Sequence, residues 1–247
     1  MKKSSLVLLS MVLTGAACAK ESPSYSRDLY SPDTHPMTIL AVGLADPVQL
    51  PQANYNVAGL RWSIFYGSNF TVSGIDVGLV GRVNDSFTGL ALTAADWVEG
   101  DVVGAQLSGV ASIVKGNATG FQMAPFVNYN HGVFTGFQTG LVNYDGTFNG
   151  LQFGGLNWDK GLCYGLQVGV GNVAVSEFHG WSVGLINYTE RLTGLQVGLV
   201  NVAGDSGSGL QLGVFNGASK FSGLQVGLLN MIGNAAVPVL PIVNGNF

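Results

Sequence analysis

The sequence predicts an all-β protein, a parallel β-solenoid of about 12–13 coils of ~15 residues each. The first observation is an internal repeat, clearest at 194–201 (GLQVGLVN), 209–216 (GLQLGVFN) and 223–230 (GLQVGLLN). The second is the alternation of apolar and polar residues within each copy, which is typical of strands. The third is that no segment shows a sustained helical period, so the sequence favours strands throughout.

The N-terminus has the order of residue types expected of an export signal. Two lysines precede a short apolar segment at 6–13, and small residues follow. This order predicts a signal peptide over 1–19. Two processing routes compete: cleavage after Ala19, or lipidation of Cys18, since GAAC at 15–18 resembles a lipobox.

Residues 20–56 are predicted to form a linker and a first strand. Ser, Pro, Asp and Asn dominate up to about residue 36, a composition typical of linkers. A run with the character of a strand follows at Met37–Ala45. From 57 to 247 the sequence predicts a single β repeat domain.

Each repeat unit begins at a lead glycine, taken here as position zero. The spacings between lead glycines are 14–16 residues, and the glycines are Gly59, Gly74, Gly89, Gly104, Gly120, Gly136, Gly150, Gly165, Gly180, Gly194, Gly209 and Gly223. The segment 237–244 (VPVLPIVN) is interpreted as a thirteenth, degenerate copy. Its two prolines suit the free edge of the last coil, because proline cannot donate a backbone hydrogen bond.

Side-chain roles follow from the alternation within each unit. The apolar positions one, three and five are predicted to form the repeat core: Leu195, Val197, Leu199, Leu210, Leu212, Val214, Leu224, Val226 and Leu228. Stacking places identical residues about 4.8 Å apart, so recurring amides can pair along ladders. The predicted polar ladder comprises Gln167, Gln196, Gln211, Gln225, Asn187, Asn201, Asn216 and Asn230.

An up-and-down outer-membrane β-barrel of about 12–14 strands is the alternative architecture. Each unit could supply one spanning strand and one hairpin turn, and Asp145-Gly146 and Asp159-Lys160-Gly161 suit such turns. The solenoid is favoured because a barrel does not require glutamine and asparagine at fixed positions.

The sequence contains no recognisable constellation for chemistry. The histidines His35, His131 and His179 show no ligand spacing, so no catalytic, cofactor-binding or metal site is predicted. The formal net charge of −4 indicates no basic surface for nucleic acid. We therefore expect a protein that is not an enzyme and has no cofactor.

The GLQxGxxN units, the leader with a cysteine near its end and the closing PVLPIVN resemble a leptospiral-type surface-repeat lipoprotein family. The resemblance implies a bacterial protein of the outer membrane or cell surface. We expect an exported structural or interaction scaffold that associates with the membrane or envelope and contacts an unknown protein or surface partner. The alternative function is a porin-like channel.

Overall fold

The computed structural model describes residues 35–247, so the predicted signal peptide, Cys18 and most of the predicted linker lie outside the described residues. Residues from Pro36 to Phe247 form one unit. The strand predicted at Met37–Ala45 is present and belongs to this unit.

Ten strands make up the unit, and all belong to one sheet. They are β1 (Met37–Ala45), β2 (Val48–Leu50), β3 (Asn56–Asn69), β4 (Val72–Val83), β5 (Phe87–Val98), β6 (Val102–Val114), β7 (Ala118–Met123), β8 (Val127–Asp159), β9 (Cys163–Ile232) and β10 (Val239–Asn246). The last long strand, β9, has 70 residues and runs through several repeat units without a break. Five lead glycines with positive φ lie within this strand, and no turn or loop separates the units there.

Successive coils pair in parallel, which confirms the predicted β-solenoid. The lead glycines align in register, as in Gly59 with Gly74 and Gly150 with Gly165. The barrel alternative is wrong, because its neighbouring strands would run antiparallel, whereas β3 to β9 pair in parallel. No described segment forms a helix long and apolar enough to cross a bilayer.

The lead glycines form a column, in which each lies beside the lead glycine of the coil before it. All twelve have positive φ, between 122° and 154°, which other residues rarely adopt. A Cβ at Gly194 would lie 2.1 Å from the carbonyl oxygen of Gly180, in the coil before it. Glycine therefore recurs at this position because both the backbone conformation and the close approach of neighbouring coils require it.

The two sides of the strand are arranged opposite to the prediction. The glutamines and asparagines point into the coil, and the predicted core residues point outward. Leu199 is 53 % exposed and Leu228 is 72 % exposed, whereas Gln196 is 1 % exposed. The predicted repeat core was wrong in full: Leu195, Val197, Leu210, Leu212, Leu224 and Val226 are only half-buried, and Leu199, Val214 and Leu228 are exposed.

The apolar interior comes instead from residues two before each lead glycine. This inner apolar column comprises Val57, Val72, Phe87, Val102, Ala118, Phe134, Phe148, Cys163, Phe178, Leu192 and Phe221, all buried, and Gly207 takes the position before Gly209. Phe134 and Phe148 stack with ring centroids 6.2 Å apart. Valines and alanines nine residues after a lead glycine, such as Val98 and Ala203, complete the apolar half.

Both ends of the stack carry an antiparallel strand. At the start, β2 folds back on β1. At the end, β10 pairs antiparallel with the last coil of β9, so 237–244 is not a thirteenth parallel copy. The register of β10 shifts between Leu240 and Ile242, at Pro241, where no backbone donor exists. These strands cover edges that would otherwise pair with another chain.

Candidate functional site: an apolar outer face over a polar interior

The interior glutamines form a hydrogen-bonded column. Between neighbouring coils, Nε2 of one glutamine donates to Oε1 of the preceding glutamine over 2.7–3.1 Å. The donor and acceptor pairs are Gln122 to Gln106, Gln138 to Gln122, Gln152 to Gln138, Gln167 to Gln152, Gln211 to Gln196 and Gln225 to Gln211. Ser182 interrupts this glutamine column and donates to Asn187 instead, over 2.8 Å.

The asparagines form a second column, in which the hydrogen bonds are donated to the following coil rather than to the preceding one. Each Nδ2 donates to the Oδ1 of the following asparagine over 2.7–2.8 Å, through Asn128, Asn143, Asn157, Asn172, Asn187, Asn201, Asn216 and Asn230. The same Nδ2 also donates to a backbone carbonyl of the next coil, such as Val197 O for Asn187. A buried amide satisfied in this way carries little desolvation penalty. The predicted polar ladder therefore exists, and it lies inside the solenoid.

Glycine at position four makes room for this asparagine column. A Cβ at Gly198 would lie 2.6 Å from Nδ2 of Asn187 and 3.1 Å from Oδ1 of Asn201. The second glycine of the GLQxGxxN motif and its asparagine are therefore a matched pair.

The first coils carry charges where later coils carry amides. Arg61 and Asp76 occupy the glutamine column and are fully buried. The guanidinium donates Nε to Oδ1 at 2.7 Å and Nη2 to Oδ2 at 2.5 Å, and Nη1 donates to the carbonyl of Arg82 at 2.7 Å. Gly81 leaves the space for this pair, because its Cβ would lie 2.7 Å from Oδ2 of Asp76. Such a bidentate, fully bonded pair can lie buried without an unpaired charge.

Two buried aspartates lie in neighbouring coils and were missed by sequence reasoning, which interpreted them as turn residues. Asp145 accepts hydrogen bonds from Asn130, Gln138 and Gln152, whereas Asp159 accepts one from Gln167. Burial raises the pKa of Asp145, and burial together with the charge of Asp145 raises the pKa of Asp159 well above its usual range. Oδ1 of Asp159 faces no donor, so a proton on Asp159 is the state that this environment favours.

Asp96 is a third buried acid, at the asparagine position of its coil. Ser108 donates a 2.7 Å hydrogen bond to its Oδ2. Burial raises the pKa of Asp96 to about 6, despite that hydrogen bond. All three acids lie inside the coil, out of reach of a substrate.

Cys163 belongs to the inner apolar column, and burial raises the pKa of its thiol. A buried thiol in the neutral form is a poor nucleophile. No group of three or more His, Cys, Asp or Glu side chains in the described part of the chain lies close enough to hold a metal ion.

The outward side chains at positions one to six define the apolar outer face. Across the twelve coils, positions zero to six contain two charged residues, Arg61 and Asp76, and both point inward. A shallow groove follows the position-four glycines and is lined by Val168, Gly169, Val170, Val183, Gly184, Leu185, Val197, Gly198 and Leu199. The solenoid thus presents a continuous apolar surface without a single outward charge.

Charged side chains lie on the remainder of the coil in eight of the twelve coils, and this remainder is termed the charged face. It begins eight residues after the lead glycine and carries Arg82, Asp85, Glu99, Asp101, Lys115, Lys160, Glu177, Glu190, Arg191, Asp205 and Lys220. Ion pairs link neighbouring coils there, as between Lys115 and Glu99 at 2.8 Å.

Aromatic residues mark the boundary between these two faces. The residue after the asparagine position is aromatic in five coils, and this border column comprises Trp97, Tyr129, Tyr144, Trp158 and Tyr188. Trp97 Nε1 donates to Glu99 over 2.8 Å, and the Tyr188 hydroxyl donates to Glu190 over 2.7 Å. The polar atoms of Trp97 and Tyr188 are therefore bound to acidic side chains of the charged face.

Comparison with protein-family models, curated proteins and solved structures gives no match. The residues themselves must therefore support any functional conclusion. One side of the coil has an unusual distribution of polarity, with amides inside and aliphatic side chains outside.

Proposed function

We propose that this chain is a non-enzymatic, exported protein of a bacterial envelope, and that its stacked repeats form a scaffold for contacts at the outer membrane or cell surface. The leader in the sequence supports export. The resemblance to leptospiral-type surface-repeat lipoproteins supports the same location.

The apolar outer face is the observation that carries this proposal. With six residues across at about 3.3 Å each and twelve rungs at about 4.8 Å, it covers on the order of 1,100 Å². The largest apolar patch of a typical monomeric soluble protein is about 300–600 Å². A face of this size without outward charge is suited to lasting contact with another apolar surface, and the backbone ladders and amide columns hold it in a fixed form.

The burial of the acidic and thiol side chains supports a scaffold role rather than an enzymatic one. Asp145 and Asp159 are buried among amides, and Cys163 is buried among apolar residues. None of the three reaches the surface where a substrate would bind. Hydrolytic activity that a single substitution abolishes would contradict this part of the proposal.

Fractionation of the producing bacterium tests the proposed location. We expect the chain in the envelope fraction, released by detergent rather than by high salt, and cleaved when intact cells are treated with protease. Recovery of the chain from the cytosol would contradict the proposal.

A further inference from the structure

On the side of the coil that carries the apolar outer face, the solenoid reverses the usual distribution of polarity. Gln211 and Asn216 are fully buried, while Val170 is 60 % exposed and Leu228 is 72 % exposed. In water, such exposure forfeits about 1.5–3 kcal/mol for each large apolar side chain left unburied. The distribution is favourable where the surroundings of the outer face are themselves apolar.

The apolar outer face also lacks hydrogen-bonding groups to offer to a partner. In the seven coils from Gly136 onward, the outward side chains at positions one, three, five and six include two with a polar atom, Thr139 and Trp181. A protein–protein interface usually makes about one hydrogen bond per 100–200 Å². The backbone groups of each coil are engaged in pairing with its neighbours, and the amides are paired inside. A lipid hydrocarbon region requires that arrangement, since it contains no partner for an unsatisfied polar group.

The border column supplies the second, independent observation. Its rings lie where the apolar outer face meets the charged face, and Trp97, Tyr144 and Tyr188 contact charged groups there through a polar atom or a π-face. Lys115 lies 5.2 Å from the ring centroid of Trp97, and Lys160 lies 5.2 Å from that of Tyr144. Tryptophan and tyrosine are enriched at membrane–water boundaries for this reason, because one part of each ring is apolar and the other hydrated.

We infer that the occupant of the apolar outer face is the hydrocarbon of a lipid layer, on which the solenoid lies along its length. The border column then lies at the level of the headgroups, and the charged face remains in water. This inference rests on the proposed envelope function and names the partner of its surface. The chain would lie on one leaflet, as amphipathic interfacial helices do, rather than cross the layer.

A second copy of the chain is the other occupant that this area would suit, because about 800 Å² per partner is the usual size of a stable interface. The lipid is favoured because the face lacks directional polar groups, and because the aromatic border follows one edge of the face through the middle of the stack. The two occupants predict different behaviour when lipid is absent.

Two valines in one coil allow a matched test. Val170 lies on the apolar outer face and is 60 % exposed, whereas Val175 lies on the charged face and is 40 % exposed. The exported chain and its Val170→Glu and Val175→Glu variants are mixed with neutral phosphatidylcholine vesicles, and the bound fraction is measured by flotation. All three proteins share one N-terminus, so any lipid on Cys18 contributes equally. Circular dichroism and protease resistance verify that both variants fold.

We expect the parent and Val175→Glu to float with the vesicles, and Val170→Glu to bind at least tenfold more weakly, since a charge on the outer face must then enter hydrocarbon. Phosphatidylcholine with brominated acyl chains should quench the emission of Trp181, identified by the signal lost in Trp181→Phe. Equal flotation of both variants, or no quenching of Trp181, would overturn the inference.

Sedimentation in the absence of lipid tests whether a second copy of the chain occupies the apolar outer face. A concentration-dependent dimer that does not bind vesicles, and that Val170→Glu separates into monomers, would show that the face joins two copies and would overturn the lipid inference. The proposed envelope location would survive that result, because fractionation of cells tests it separately.

Discussion

Nδ2 of Asn187 donates a 2.8 Å hydrogen bond to Oδ1 of Asn201, one coil further along, and both side chains are fully buried. The same relationship recurs from Asn128 to Asn230, so each amide depends on the coil before it and the coil after it. The stability of the stack is therefore shared between coils rather than contained in any one of them.

Asn187→Ala should destabilise the solenoid by about 2–3 kcal/mol, because it removes one hydrogen bond of Asn172 and leaves buried groups of Ser182 and Asn201 without a partner. Urea unfolding of the exported chain measures this loss. Asn149→Ala serves as the control, since Asn149 is half-buried beside a lead glycine and lies outside the column. Equal urea midpoints for the two variants would mean that the asparagine column contributes nothing.

Gly198→Ala should destabilise the solenoid by about 1–3 kcal/mol, because the added methyl group overpacks the asparagine column. Its Cβ would lie 2.3 Å from the carbonyl oxygen of Gly184. Gly109→Ala is the matched control, since the nearest atom to its Cβ would be 3.6 Å away. Thermal unfolding midpoints compare the two, and a stable Gly198→Ala variant would refute the spacing between coils described above.

The buried acids predict that stability falls as pH rises from about 4 to 8. Burial raises the pKa of Asp96 to about 6 and that of Asp159 well above its usual range. The folded chain then binds more protons than the unfolded chain in this window, so the free energy of unfolding decreases with increasing pH. Urea midpoints across the range measure the slope.

Asp159→Asn tests which group causes that slope. The amide cannot ionise and can donate to Asp145, so the variant should be more stable than the parent at pH 8 and have a shallower profile. Asp205→Asn, on the exposed part of a coil, should leave the profile unchanged. A parent chain that becomes more stable between pH 5 and 8 would contradict the assignment.

The two apolar sets should differ sharply in their effect on folding. Phe178→Ala should destabilise the solenoid by about 3–5 kcal/mol, because it opens a cavity in the inner apolar column. Leu199→Ala, at an outward position 53 % exposed, should change stability by less than about 1 kcal/mol in the absence of lipid. Limited proteolysis and urea unfolding compare them, and the reverse order would restore the core that the sequence predicted.

The regular spacing of the lead glycines made the stack of coils predictable from the sequence. Glycine recurs at positions such as Gly194 and Gly209 because the coil needs positive φ there, and that requirement is visible as spacing. Alternation also separated two sets of side chains, Gln196 on one side and Leu195 and Val197 on the other. It could not show which set lies inside, because alternation is symmetric between the two faces.

The usual assumption that apolar residues lie inside failed for a physical reason. Gln211 alone would be costly to bury, but with Gln196 below it and Gln225 above it the side-chain amide is hydrogen-bonded on both sides. Only the assembled column removes the penalty. Asp145 was misread likewise, since Asp-Gly is typical of turns and its three buried donors come from three different coils.

Thiol accessibility measures the inside-out arrangement most directly. Gln196→Cys and Leu199→Cys variants of the exported chain are exposed, without lipid or denaturant, to a water-soluble thiol reagent, and peptide mapping locates the label. We expect rapid labelling at position 199 and protection at position 196, with Cys163 unreactive because it is buried. Rapid labelling at 196 with protection at 199 would place the leucines inside and contradict the account.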